Sequence, residues 1–149
     1  MKRLLSVLAL LVPLPAAAHV HVHPEQAAPG QTVEIALQIG HGCAGAATTG
    51  LRVAVPAGLT GIAVAPPSGW TAATVTDAAT GRVTEILWSG GELPDKIKAT
   101  FAFTATVGQA SGALALPVIQ ICGGTELRWI ETGAGAEHPA PVLTVAPGA

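Results

Sequence analysis

Three of the chain's five histidines stand at alternate positions in one short stretch, HVHVH, residues 19–23, directly behind Ala16, Ala17 and Ala18. Imidazole is the commonest protein ligand for first-row metals, and alternate residues of a strand share one face at a spacing of roughly 7 Å. That spacing is too wide for one ion to take all three rings from a flat strand. The plainer reading turns Val20 and Val22 inward and displays His19, His21 and His23 to water, where histidines are ordinary. The chemistry changes if the chain is cut before His19.

The first residues predict such a cut. Lys2 and Arg3 form a positive start, Leu4 to Leu14 an apolar segment, and Ala16 to Ala18 a small-residue cleavage site. Cutting after Ala18 places alanine one and three residues before the cut, whereas the two neighbouring cuts would place Pro15 or Leu14 at the outer position. Residues 1–18 therefore read as an export signal, leaving residues 19–149 as a mature domain that is periplasmic or secreted. The apolar run is too short to span a bilayer, and no Cys follows it to carry a lipid, so no membrane anchor is expected in the mature chain.

Cleavage at Ala18/His19 would create a ligand. The free α-amine and Nδ1 of an N-terminal histidine close one chelate ring, with both donors neutral at modest proton cost near neutrality. Amine and imidazole nitrogens suit Cu(II), which favours tetragonal N and O ligation and leads the Irving–Williams order. A local competitor is the amino-terminal peptide motif ending at His21. It consumes two backbone amides that a paired strand needs for its ladder.

Without Lys2 and Arg3, five basic residues of the seven remain against nine acidic ones, a net charge of −4 with His neutral. A chain so poor in positive charge has no basic patch for nucleic acid or anionic lipid, and neither is expected as a partner. Cys43 and Cys122, exported to an oxidising compartment, predict one disulfide. A thiolate metal site is the competing reading, but metal-ligand spacings such as C-x-x-C are absent. Met1 is the only methionine, so with both thiols oxidised the mature chain lacks soft ligands for Cu(I), which leaves Cu(II) or Zn(II).

Period-two alternation runs from end to end. It places Val33, Ile35, Leu37 and Ile39 on one face, and Ile97, Ala99, Phe101, Phe103 and Ala105 on another. HVHVH, LRVAV, GIAVA, TAATVT, RVTEILW, GALALPVIQI, TELRWIE and PVLTV are further strand candidates, separated by PAG, PPSG, SGG and GG turns. No segment sustains a capped helical period. These features predict an all-β fold, an immunoglobulin-like antiparallel β-sandwich in a single domain, with Pro117 on an edge or bulge. A Cys43–Cys122 bridge would tie the glycine- and alanine-rich loop holding His41 to the end of GALALPVIQIC. Residues 133–141 are loose in composition, and little is expected of His138.

In order along the chain, AHV at the predicted cut, Pro24, HGCAGAATTGLRVAVP, GW at Trp70, VTEILWSGGELPD, PVIQIC and RW at Trp129 resemble the YcnI-like family, long described as a domain of unknown function. The motifs cover nearly the whole mature chain. The resemblance implies an exported immunoglobulin-like sandwich that binds Cu(II) and works beside other periplasmic copper-trafficking proteins. It also implies a metal site made by the N-terminal histidine, a loop glutamate and a nearby tryptophan, which His19 and Trp129 match at its two ends. The glutamate has no clean counterpart: GHGCAG offers His41 there, and Glu25 or Glu34 are the alternative carboxylates.

The expected site is thus His19, His41 and Trp129 around copper, with His21 auxiliary and Glu25 in reserve. Trp70 and Trp88 are expected in the core, where large aromatics of sandwiches pack. Carriage, buffering or delivery of copper, with no enzymatic activity, is the expected function. Two alternatives stand: a structural or interaction module, and an oxidative copper enzyme. The enzyme reading is disfavoured because an aromatic fraction of 3% without Tyr leaves little for a substrate platform. No G-x-S-x-G elbow is present for hydrolysis.

Overall fold

The computed structural model describes residues 19–148, so the predicted export signal lies outside the described residues. Every regular element among the described residues is a strand: β1 (His21–His23), β2 (Gln26–Ala27), β3 (Thr32–Ile39), β4 (Thr48–Ala54), β5 (Leu59–Val64), β6 (Thr71–Thr76), β7 (Val83–Leu93), β8 (Ala99–Val107), β9 (Gly112–Ala115), β10 (Val118–Cys122), β11 (Thr125–Trp129) and β12 (Val142–Val145). They form one sheet ordered β1-β3-β8-β5, a second ordered β11-β10-β4-β7-β6, and a small third ordered β2-β12-β9. All pairings are antiparallel except β12 with β2.

The alternation read from the sequence sets the core. Ile35, Leu37 and Ile39 of β3 and Phe101, Phe103 and Ala105 of β8 are buried with Leu51, Val53, Ile86, Trp88 and Val118 of the second sheet. Each large side chain so buried contributes roughly 1.5–3 kcal/mol of transfer free energy. Phe101 is the aromatic centre, with Trp70 and Trp88 edge-on to it at ring-centroid distances of 4.9 and 5.8 Å. Val20 and Val22 are buried too, and His21 and His23 are exposed, as the alternating HVHVH pattern requires.

Three expectations need correction. SGG is no turn: Ser89, Gly90 and Gly91 lie within β7. Ile97 is 54% exposed and lies outside β8. Its N–H bonds back to the Pro94 carbonyl at 3.2 Å, and Lys96 takes a left-handed φ of 64°, so a turn holds it off the ladder. GALALPVIQI is two strands, not one. β9 ends at Ala115 and β10 starts at Val118, because Pro117 has no N–H to give a ladder and the chain passes there from the third sheet to the second.

The Gly40–Gly50 connection is tighter than its composition suggests. Cys43 and Ala46 exchange two backbone hydrogen bonds at 3.0 Å around Ala44 and Gly45, whose φ values of 48° and 87° are those of a primed two-residue hairpin turn. Gly42 is required beside it, since a Cβ there would collide with the Ala46 carbonyl oxygen. Cys43 forms the expected disulfide with Cys122 at the end of β10, a sequence separation of 79. The Cys43→Ser/Cys122→Ser protein should lose about 4 kcal/mol of unfolding free energy on the chain-entropy model. Urea denaturation checks this, and an unchanged midpoint would deny the bridge its role in holding the His41 loop.

Candidate metal centre

The register of the first sheet brings the start of the described residues to the His41 loop. His21 lies opposite Gln38, Val22 opposite Leu37 and His23 opposite Ala36, so two steps back His19 comes level with Gly40. In the second sheet Trp129, the last residue of β11, lies opposite Val118 at the start of β10. The two sheets thus deliver His19, His41 and Trp129 to one end of the sandwich.

Trp129 is buried, and its indole is the wall on which imidazoles gather. The His19 ring is edge-on to it at a centroid distance of 6.3 Å, and the His41 ring at 5.5 Å. A third imidazole joins them: His138 contacts the same indole at 5.0 Å. The sequence reading expected little from His138, because residues 133–141 carry no pattern. Its position is set by loop closure: the Glu131 N–H donates to the His138 carbonyl at 3.1 Å, and the Ala140 N–H to the Glu131 carbonyl at 2.9 Å.

A buried amide fixes the wall. The Trp129 Nε1–H donates to Gln120 Oε1 at 3.1 Å, and Gln120 Nε2 donates to the His41 carbonyl and to the Thr48 hydroxyl, both at 2.7 Å. Gln120 is fully buried at an inward position of β10, so its polar head is affordable only because each of these bonds is made. The indole nitrogen is thereby engaged, and Trp129 faces the histidines through its ring rather than through nitrogen.

The His41 ring is held by its own loop. Its Nδ1 lies 2.8 Å from the Gly42 carbonyl, which can only accept, so Nδ1 carries the proton and Nε2 keeps its lone pair when the ring is neutral. Such an outer hydrogen bond is what orients metal-binding imidazoles. The loop is pinned twice more, by the disulfide at Cys43 and by the Gly42 N–H donating to Asp95 Oδ1 at 2.8 Å.

The remaining candidates fall elsewhere. His21 and Glu25 share a shallow depression of about 250 Å³ between β1 and β12, lined also by Val20, Val142 and Thr144. Glu25 is therefore a neighbour of His21. Glu34 pairs with Thr104 near the other end of β3, six residues from Gly40 and so roughly 20 Å along the strand. It is too far to serve as the missing carboxylate.

The donor types at Trp129 fit a nitrogen-preferring ion such as Cu(II) or Zn(II), and the disulfide removes both thiols from consideration. Among the described residues, no three His, Cys, Asp or Glu side chains gather closely enough to hold an ion together. The imidazoles ring the indole rather than meet at a point.

The architecture is that of an immunoglobulin-like sandwich. A protein of Nocardia farcinica whose crystal structure reveals an immunoglobulin-like fold is 24% identical, with a TM-score of 0.73 over 87% of this chain and 99% of its own. The seventh ScaB type I cohesin of Pseudobacteroides cellulosolvens is 15% identical, with a TM-score of 0.50 over 88% of this chain and 93% of its own. Comparison with curated proteins gives no match. A family model matches residues 19–145, and the chain belongs to that family, the domain of unknown function DUF1775.

Gln120→Leu should strand the Trp129 N–H and the His41 carbonyl and leave the Thr48 hydroxyl only the Cys122 sulfur, 3.9 Å away. Each buried group left without a partner costs about 1–3 kcal/mol. Chemical denaturation of the metal-free protein checks the loss. A change within about 0.5 kcal/mol, typical of an indifferent surface position, would contradict the role given to this amide.

Proposed function

We propose that the mature chain is an exported Cu(II)-binding protein that carries, buffers or delivers copper and is not an enzyme. The observation that carries this reading is the placement of His19 and His41 on one indole, with the Nε2 of His41 left free. His19 would bind through its α-amine and Nδ1 once the signal is removed, and His41 would bind through Nε2 where the YcnI-like pattern has a glutamate. The start of the family match at His19 supports a mature terminus there, in the periplasm or outside the cell.

Each residue has a task in this reading. Trp129 shields one side of the site from water, Gln120 keeps the wall and the His41 loop in register, and the disulfide stops that loop from drifting. The bound Cu(II) itself would be cargo, taken up and passed to other copper-trafficking proteins of the same compartment. His21 and Glu25, which line a separate depression, would form an auxiliary and weaker capture point.

One observation favours a second reading, a structural or interaction module of immunoglobulin-like fold: no three donors gather among the described residues. The two readings part on the terminus. Adding one glycine before His19 in the processed protein should weaken Cu(II) binding by roughly tenfold or more, at least the loss seen when a metal's outer-shell partner is removed. Isothermal titration against a competing chelator measures this. An unchanged affinity would rule out the N-terminal brace, and absence of tight Cu(II) or Zn(II) binding would favour the module.

A further inference from the structure

The outer edges of the three sheets differ in how they are protected. An exposed strand edge offers unpaired N–H and C=O groups to any other strand, and proteins blunt such edges with charge, bulges or brevity. In the first sheet β1 is three residues long and shows two histidines outward, and at the opposite edge β5 shifts register between Thr60 and Ala63, where Gly61 takes a φ of 62°. The β11 edge of the second sheet carries exposed Glu126 and Arg128. The edges of the small sheet, β2 and β9, have two and four residues. At β6, the remaining edge, TAATVT is six residues without a charge or a proline, and all but Ala72 are exposed. We propose that β6 is a docking edge for a second copy of this chain, paired antiparallel across a two-fold axis at Thr74.

The direction of the backbone groups sets the register. The Val75 carbonyl accepts the Thr84 hydroxyl at 3.3 Å, and the Asp77 N–H donates to the Arg82 carbonyl at 2.8 Å, so alternate residues from Asp77 back along β6 turn toward β7. Ala72, Thr74 and Thr76 therefore direct their N–H and C=O groups away from the sheet. The register shift between Val75 and Thr76 leaves the extra residue, Thr84, on β7, so β6 itself stays regular. Antiparallel self-pairing centred on Thr74 sets Ala72 against Thr76 and Thr74 against its own counterpart, with about six backbone hydrogen bonds in all.

A second copy fits because the strand is complementary to itself. Cross-strand neighbours become Thr with Thr, Ala with Thr, and Ala73 with Val75, and no charged residue faces another. The first charge, Asp77, falls opposite Thr71 and is already engaged by the Ala79 and Thr80 N–H groups. Val75, 46% exposed in the single chain, gains a neighbour across the axis. Ala72 and Thr74 also border a depression of about 230 Å³ walled by Ile62, Val64 and Pro66, apolar surface that lies beside the docked strand. The order β11-β10-β4-β7-β6 then continues through the axis into the second copy, so both Trp129 ends lie at the far edges of the joined sheet. The candidate metal centre stays uncovered in each copy.

Analytical ultracentrifugation of the processed, metal-free protein tests this, with a chelator present so that the exposed His21 and His23 cannot bridge copies through an ion. Wild type should show a concentration-dependent monomer–dimer equilibrium below about 1 mM. Thr74→Lys and Thr74→Glu each set like charges opposite one another across the axis and should weaken dimerisation by about tenfold or more, whereas an equimolar mixture of the two should form a heterodimer. Thermal unfolding checks that both variants fold. As a reading that needs no variant, the Ala72, Thr74 and Thr76 amides of wild type should exchange more slowly as concentration rises. A wild type that stays monomeric to about 1 mM overturns the proposal. If that monomer instead takes up a synthetic TAATVT peptide, the edge serves extended peptides and not copies. A dimer that tolerates either charge, is not restored in the mixture, or leaves those three amides unprotected has its interface elsewhere and overturns it equally.

Discussion

The hydrogen bonds of one buried amide decide whether this end of the sandwich is a site or merely a place where strands stop. Gln120 sits inward on β10 among apolar neighbours, where an unsatisfied amide would be costly, and each of its two ends is used. One end fixes the indole of Trp129. The other holds the backbone of His41 and the hydroxyl of Thr48. Remove it, and the indole and the His41 backbone lose their direct link.

Around that junction the restraints are layered by kind. Hydrophobic burial fixes the sheets but says nothing about the direction of a loop side chain, so the loop carries its own devices. A disulfide ties Cys43 to the end of β10, a primed turn needs Gly45, and the close approach at Ala46 needs Gly42. The Asp95 carboxylate then takes the Gly42 N–H. The result is a histidine whose backbone is held at several points and whose ring has one nitrogen engaged. His19 is the opposite case, two residues before the first paired residue of β1 and held only through the β1–β3 register.

Much of this was legible in the sequence. Period-two alternation located the core faces of β3 and β8, and it put Val20 and Val22 inside, because one face of each strand must be buried. The resemblance marked His19 and Trp129, and His41 stood where its glutamate had no counterpart; in the structure both imidazoles lie edge-on to the Trp129 indole. Pro117 was seen as an irregularity, but its division of one apolar run between two sheets was not, since periodicity alone does not say which sheet a strand joins. Gln120 carried a visible signal that went unused: in VIQIC it occupies an inward position between Val118 and Cys122, and a polar residue there calls for buried partners. His138 carried none. Its place on Trp129 comes from a loop closed by backbone bonds and the Glu131 side chain, contacts that no hydrophobic period encodes.

Anomalous diffraction at the copper edge, from crystals of the processed protein with one equivalent of Cu(II), tests the central claim most directly. The expected result is a single strong peak beside Trp129, about 2 Å from the α-amine and Nδ1 of His19 and from Nε2 of His41, the distance of a metal–nitrogen bond. A peak in the His21–Glu25 depression alone, or none in a folded, correctly processed protein, would contradict it.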